Sequence, residues 1–370
     1  MVWQIIQYVA VAALLVYLNY LRIFYLGIKN GKDLISYSKP KVSVVVAARN
    51  EEENIARILT ALVNQTYSDE LYEIIVANDD SIDNTAQIVE QFSQKWKNVK
   101  LLNVTSRESV ISPKKNALTQ AIHSATGEII LLTDADCLVG KYWIESMLTN
   151  FEDADMVVGF SQTQILDWKK ANSAQQYEHF DFVAMFLAAA GAIASGKYFS
   201  CSGQNISYKK EAFEKVGGFE KINHLISGDD INLMQLFRKS KLKVRFAFSA
   251  HSFALTQPIQ NWKKLFSQRI RWASNMKWQI GLNPEFFIYL LSAYFVVLLP
   301  IALLFYNWII AVSIIIIRMI FEYGFLKIGL KKMFLKNNRL SFYLLWIIMQ
   351  PIYFVIVSIF GALNIFSWKK

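Results

Sequence analysis

Long apolar stretches at both ends of the chain constrain its fold more than any other feature. Residues 1–28 contain no acidic residue and only Arg22 as a base. At about 1.5 Å of rise per residue, a helix of this length crosses the ~30 Å hydrocarbon layer of a bilayer. Three further apolar stretches follow at Phe286–Phe305, Trp308–Leu326 and Ser341–Phe366. The pattern predicts a transmembrane anchor at 1–28 and about three transmembrane helices within 285–367.

Each of these stretches has an alternative interpretation. Residues 1–28 could be a cleavable signal peptide, but the basic start, short apolar core and small-residue cleavage site of such peptides are not clear here. The later stretches could be buried helices of a large soluble core. Three in series with so few charges favour membrane spans instead.

The formal net charge of +10 is concentrated next to the predicted spans. Residues 1–41 net +4 and residues 308–370 net +7, which leaves −1 for residues 42–307. Basic residues that flank spans are expected on the cytoplasmic side of a membrane. We therefore predict a multi-pass protein of the inner or plasma membrane, with its middle domain in the cytoplasm and no nucleic acid as partner.

Between the predicted spans, residues 42–257 alternate strand-like and helix-like segments. "KVSVVVAARN", "YEIIVANDDS", "VKLLNV" and "GEIILLTDADC" have strand character, and amphipathic helical segments separate them. This order predicts an α/β fold with a parallel sheet that binds its ligand at the carboxyl ends of the strands. The segment contains neither G-x-G-x-x-G nor G-x-x-x-x-G-K-[ST], which argues against a Rossmann dinucleotide site and a P-loop.

Acidic and polar residues cluster where the predicted strands end. They are Arg49, Asn50 and Glu51 after the first strand, Asp79, Asp80 and Asp83 after the second, Asp134 and Asp136 after the fourth, and Asp229 and Asp230 before a later helix. Each group alone could be a turn or a helix cap. Their joint occurrence at strand ends predicts a site, and paired carboxylates suit Mg²⁺ or Mn²⁺ with substrate phosphates as further ligands.

The ordered series "VSVVVAARNEEENI", "NDDSIDNT", "LLTDADC", "SGDDINL" and "QRIRW" resembles the membrane-integrated family 2 glycosyltransferases. The resemblance covers essentially the whole chain. It implies a GT-A domain with a mainly parallel sheet at 40–257 and an amphipathic interfacial helix at 258–282, besides the transmembrane helices. It also implies a nucleotide diphosphate sugar as donor, a lipid or polysaccharide acceptor, and Mg²⁺ or Mn²⁺ as cofactor.

The resemblance assigns roles position by position. The residues assigned to the nucleotide sugar are Ala47, Arg49, Asn50, Glu51, Asp79, Lys114 and Asp134. Asp134 and Asp136 match the D-x-D pair that binds the metal and the diphosphate. Asp230 and Arg271 are the expected catalytic residues. Asp230 matches the general base, and direct attack at the sugar would then invert the anomeric centre. Gln268, Arg271 and Trp272 match the Q-x-x-R-W motif, in which Arg271 is expected to contact diphosphate and Trp272 to stack on the acceptor.

Three positions depart from the family pattern. Ala47 stands where proline is common, Asp80 where glycine is common, and Asp229 where glutamate is common. These changes put sugar and acceptor preference in doubt more than the reaction class. Two kinds of product stay open, an envelope polysaccharide and a single-sugar lipid. A non-catalytic nucleotide-binding scaffold is the alternative from another class, although Asp136 and Asp230 are both present.

Overall fold

A computed structural model describes residues 1–35, 38–105, 112–225, 227–335 and 342–365 of the chain. The chain forms two compact units. The sheet unit comprises residues 32–166 and 200–258. The helical unit comprises residues 1–31, 167–199 and 259–370.

The strands found in the described residues belong to the sheet unit. They are β1 (Val42–Ala48), β2 (Tyr72–Asn78), β3 (Val99–Asn103), β4 (Ile129–Leu132), β5 (Cys137–Val139), β6 (Met156–Val158), β7 (Ser161–Thr163), β8 (Ile206–Lys209), β9 (Val244–Phe246) and β10 (Ala254–Thr256). One sheet has the order β3-β2-β1-β4-β8-β6-β9, and a smaller one has the order β5-β10-β7.

The helices are divided between the two units. Those of the sheet unit are α2 (Ile55–Val63), α3 (Thr85–Lys95), α4 (Pro113–Ser124), α5 (Trp143–Leu148), α7 (Lys210–Lys215) and α8 (Asp229–Lys239). Those of the helical unit are α1 (Val2–Asn30), α6 (Ser173–Ala194), α9 (Trp262–Ala273), α10 (Gln279–Leu282), α11 (Pro284–Leu303), α12 (Trp308–Lys332) and α13 (Tyr343–Ala362). Short 3-10 helices lie at Glu220–Ile222, Ala250–Ser252 and Met276–Trp278.

The first four strands are parallel, as the alternating pattern predicts. In the β1–β2 ladder Val42 pairs with Tyr72 and Ala48 with Asn78, and Val42 also pairs with Ile129 of β4. Both faces of β1 are covered, which explains its continuous run of apolar residues. Since the strands run in one direction, the residues after β1, β2 and β4 lie at one edge, called here the carboxyl edge.

The other half of the sheet is mixed. β8 runs antiparallel to both β4 and β6, and Leu132 pairs with Ile206. An antiparallel neighbour begins where β4 ends, so the loop before β8, residues 201–205, lies at the carboxyl edge. The alternation of strands and helices alone does not predict this reversal of direction.

Among the described residues, five helices of the helical unit have the length and apolarity to cross a membrane: α1, α6, α11, α12 and α13. Four of them correspond to predicted spans, although Ser341 and Phe366, the predicted ends of the last, lie outside the described residues. α6 was not predicted from the sequence. It groups with the terminal helices, so the predicted continuous domain at 40–257 is interrupted by residues 167–199. The acids Glu178 and Asp181 within α6 hide its apolar character in the sequence.

Two glycines allow α1 and α6 to cross closely. A Cβ atom on Gly27 would lie 2.0 Å from the carbonyl oxygen of Gly191, so neither helix tolerates a side chain at this point. The Ser195 hydroxyl donates to the Ile23 carbonyl oxygen at 3.0 Å beside the crossing. Close approach through small residues with an added hydrogen bond is typical of helix pairs in membranes.

Candidate active site

The loops after β1 and β2 interlock at the carboxyl edge. The backbone N–H of Asn50 donates to the Ser81 hydroxyl at 3.0 Å, and the Asn50 side-chain oxygen accepts from the N–H of Ile82 at 2.9 Å. Asn50 and Asp80 both have positive φ, at 55° and 56°. Asn and Asp adopt this region more readily than most residues, which explains how Asp80 replaces the glycine that is common there.

Asp79 and Arg49 form the part of this edge that the resemblance assigns to the nucleotide. The Asp79 carboxylate is almost buried, and the Arg49 guanidinium lies 3.9 Å from it. Ala47, near the end of β1, is half-buried. The N–H of Glu51 donates to the Thr85 hydroxyl at 2.8 Å, which joins this loop to the start of α3. Arg49, Glu51 and Asp79 therefore lie on connected loops at one edge, and their assignment to the nucleotide stays a prediction.

Asp134 and Asp136 lie on a tight turn after β4. The N–H of Cys137 donates to the Asp134 carbonyl oxygen at 3.0 Å, and the Arg57 guanidinium donates to the Asp136 carbonyl oxygen at 2.7 Å. Burial and the neighbouring charges of Asp134 and Glu51 raise the pKa of Asp136 to about 6. The repulsion between carboxylates on this turn favours the binding of a cation.

Lys114 connects two acidic groups of the site. Its ammonium lies 2.8 Å from a carboxylate oxygen of Asp134 and 3.7 Å from one of Asp229. Burial opposes the charged form, but the two carboxylates outweigh it and raise the pKa of Lys114 above its usual value. The contact with Asp229 was not predicted, because it joins α4 to the start of α8, which lie far apart in sequence.

Asp230 begins α8 and is positioned by backbone groups. Its carboxylate accepts from the N–H of Gly203 and from the N–H of Ile231, both at 2.7 Å. Burial and the adjacent charge of Asp229 raise the pKa of Asp230 to about 6. Gly203 was missed in the sequence, since its part depends on the antiparallel strand that brings residues 201–205 to this edge.

The donor set fits a hard divalent cation with an incomplete protein shell. Asp134 and Asp136 offer carboxylate oxygens, which are the ligands that Mg²⁺ and Mn²⁺ prefer. In the described parts of the chain, no three or more His, Cys, Asp or Glu side chains converge as metal ligands. A cation at this turn would therefore need oxygens from outside the protein, such as those of a diphosphate.

The Q-x-x-R-W residues lie on α9 of the helical unit. Gln268, Arg271 and Trp272 are all half-buried on this helix. The intervening Arg269, which the motif leaves unassigned, is almost completely buried, at 1% exposure. It forms an ion pair at 2.9 Å with Asp181 of α6. This pair was not predicted from the sequence, because a single arginine within a basic amphipathic helix ordinarily faces water.

The sequence model of the Glycosyl transferase family 2 matches residues 43–217. The chain is 30% identical over 237 residues to the "Probable glycosyltransferase YdaM" of Bacillus subtilis, covering 63% of this chain and 54% of the relative. It is 25% identical over 232 residues to the "Glycosyltransferase AglE" of Haloferax volcanii, covering 63% of this chain and 71% of the relative. It is 26% identical over 246 residues to a "Beta-monoglucosyldiacylglycerol synthase" of Nostoc, covering 65% of this chain and 49% of the relative. The matched part is thus about half of the first and third relatives.

Among solved structures, the fold resembles a mannosyltransferase of Pyrobaculum calidifontis determined with GDP-Man and Mn²⁺. The TM-score is 0.60 at 19% identity, and the alignment covers 97% of this chain and 99% of that one. At this level of identity the likeness shows the fold alone. It includes the helical unit as well as the sheet unit, and it confirms the predicted GT-A fold.

Proposed function

We propose, from the premise that residues 43–217 are a Glycosyl transferase family 2 domain, that the protein transfers a sugar from a nucleotide diphosphate sugar to a membrane-associated acceptor. The observation that carries the proposal is Lys114, which lies between Asp134 on the β4 turn and Asp229 beside Asp230. The Lys114 ammonium thus lies between two acidic groups at the carboxyl edge. This arrangement suits a reaction between a donor with a charged diphosphate and an acceptor with a reacting hydroxyl.

The donor nucleotide is assigned to the loops after β1 and β2. Asp79 lies almost buried there and would accept hydrogen bonds from the nucleoside, with Arg49 and Asn50 beside it. Asp134 and Asp136 would bind Mg²⁺ or Mn²⁺, and that cation would stabilise the charge on the leaving diphosphate. The Lys114 ammonium would provide a second positive charge against the same group.

Asp230 is assigned as the general base. The acceptor hydroxyl oxygen would bond to the anomeric carbon while the bond from that carbon to the diphosphate oxygen breaks, and the hydroxyl proton would pass to Asp230. The hydrogen bonds from Gly203 and Ile231 orient the carboxylate, and its raised pKa strengthens it as a base near neutral pH. A single displacement of this kind inverts the anomeric configuration.

The acceptor is assigned to a membrane lipid or an envelope polysaccharide. In the part of the chain that the structure describes, five helices are long and apolar enough to span a bilayer, which supports a multi-pass protein. The basic flanks favour a cytoplasmic sheet unit. Relatives named as glucosyldiacylglycerol synthases support a lipid acceptor. Gln268, Arg271 and Trp272 are the residues that we assign to acceptor recognition.

The purified protein in detergent should be tested against labelled nucleotide sugars with Mg²⁺ or Mn²⁺. We expect sugar transfer from one of these nucleotide sugars, because the carboxyl edge holds the residues assigned to the nucleotide, to the cation and to the general base. The Asp136→Asn variant is the control for metal-dependent turnover. Mass spectrometry of the product distinguishes a single-sugar lipid from a polymer, and NMR gives its anomeric configuration.

Two results would contradict the proposal. Binding of a nucleotide without turnover of any sugar would favour a non-catalytic scaffold. An α-linked product from an α-linked donor would exclude the single displacement at Asp230.

A further inference from the structure

Arg269 contacts two residues of the Q-x-x-R-W motif. Its Nη1 donates to the side-chain oxygen of Gln268 at 2.8 Å. Its guanidinium lies over the ring of Trp272, with 4.3 Å between its carbon and the ring centroid. One side chain therefore fixes the positions of both the first and the last residue of the motif.

The Arg269 guanidinium is itself fixed by α6 and α13. Its Nε and Nη2 donate to the same carboxylate oxygen of Asp181 at 3.1 and 2.9 Å. The other oxygen of Asp181 accepts from the indole N–H of Trp346 at 3.3 Å. Two N–H groups on one carboxylate fix the plane of the guanidinium, since its donors have rigid geometry.

The ring of Phe182 completes this arrangement. It lies 5.5 Å from the Arg269 guanidinium carbon and 6.0 Å from the ring of Trp272. The N–H of Ile259, just before α9, donates to the Glu178 carboxylate at 2.7 Å. α6 thus contacts the α9 region at two buried acids one turn apart. Its sequence is otherwise that of an ordinary span.

We propose that Arg269, clamped by Asp181, is the positioning residue that orients Gln268 and Trp272 toward the acceptor. The inference rests on the proposed function, in which these two residues recognise the acceptor. Net stability is a poor explanation for the pair, because buried ion pairs are often replaceable by apolar residues without loss. The contacts to both motif residues indicate a functional reason for a buried charge.

The Arg269→Lys variant tests the inference. Lysine keeps a positive charge opposite Asp181, but it lacks the planar fork that reaches Gln268 and stacks on Trp272. We expect sugar transfer to fall at least tenfold, through a higher KM for the acceptor or a lower kcat. Hydrolysis of the nucleotide sugar by water should change less than twofold, because it needs no acceptor recognition.

Arg318→Lys is the matched control. Arg318 is the buried partner of Glu322 at 2.8 Å in the same helical unit, so the same substitution perturbs a second buried pair. We expect transfer by this variant to stay within threefold of the wild type. An equal loss of transfer in both variants would mean general loosening of the helical unit and would overturn the inference.

A double variant covers the case in which Arg269→Lys folds poorly. Arg269→Met combined with Asp181→Leu removes both charges together and should keep the unfolding temperature near that of the wild type. We expect transfer to stay at least tenfold low while donor hydrolysis persists. Recovered transfer in this variant would show that the pair is only structural. Absence of both transfer and donor hydrolysis in the wild type would instead contradict the proposed function.

Discussion

Charged residues are balanced differently at the carboxyl edge of the sheet unit and in the helical unit. At the carboxyl edge, the carboxylates of Asp134 and Asp229 share a single ammonium, that of Lys114, and all three side chains remain partly exposed. Asp136, near Asp134, and Asp230, near Asp229, have pKa values raised to about 6. Negative charge is therefore in excess where a ligand can reach it.

In the helical unit, by contrast, Arg318 and Glu322 form a buried and matched pair. Glu322 accepts from the Arg318 guanidinium at 2.8 Å and from the hydroxyls of Tyr17 and Tyr343 at 2.5 and 3.1 Å. Arg318 also donates to the Gln350 side chain. A buried network in which each charged group has its hydrogen-bond partners holds α1, α12 and α13 together. An accessible group of carboxylates without enough cations is instead suited to binding a ligand. The difference distinguishes the structural charges of Arg318 and Glu322 from the accessible charges of the carboxyl edge.

The largest expected effect is that of Asp230→Asn on catalysis. Asparagine has the shape of aspartate but cannot take the proton of the acceptor hydroxyl, so we expect transfer to fall by about 10²- to 10⁴-fold. The unfolding temperature should hold or rise, because the substitution removes a partly buried charge repelled by Asp229. Transfer rates and thermal unfolding in detergent check both expectations. Transfer above a tenth of the wild-type rate would remove Asp230 as the base.

The next largest effect is that of Arg318→Met on stability. Loss of one partner leaves Glu322 buried without its cation, which costs about 3–5 kcal/mol when a buried pair is broken. We expect a lower unfolding temperature and unchanged donor hydrolysis in the protein that remains folded. Arg318→Met combined with Glu322→Gln should recover part of the loss. A selective loss of turnover without loss of stability would show that the network is functional rather than structural.

The parts of the fold that follow from local pattern were predictable from the sequence. The first four strands, their parallel direction and the acids at their ends are evident from runs such as Val42–Ala48 and the turns after them. The apolar stretches predict α1, α11, α12 and α13 in the same way. Roles of individual residues at the carboxyl edge remain predictions.

The features that were missed depend on contacts distant in sequence. α6 carries Glu178 and Asp181, which lower its apparent apolarity until their buried partners are known. Gly203 reaches Asp230 only because β8 runs antiparallel to β4. Arg269 looks like a surface base until Asp181 is placed against it. In each case tertiary pairing overrides what the residue type indicates.

The smallest expected effect is a shift in pH dependence after Asp229→Asn. The pKa of Asp230, about 6, is raised by burial first and by the Asp229 charge second. The base must be ionised, so wild-type kcat/KM should fall as pH drops through about 6. Removing the Asp229 charge should move this acid limb to lower pH. Measurements of kcat/KM with saturating Mn²⁺ between pH 5 and 8 give the shift. An acid limb at the same pH in wild type and variant would mean that a group other than Asp230 sets it.

The raised pKa of Asp230 affects stability in the opposite direction to activity as pH rises. A carboxyl group that holds its proton more tightly when folded than at its ordinary value of 3.8 stabilises the folded state at low pH. That contribution is lost as pH rises through about 6. Wild-type unfolding temperature should therefore fall across the pH range in which activity rises, and Asp229→Asn should weaken both trends. A parallel rise of stability and activity with pH would contradict an uncompensated negative charge at Asp230, and with it the contrast between the two regions.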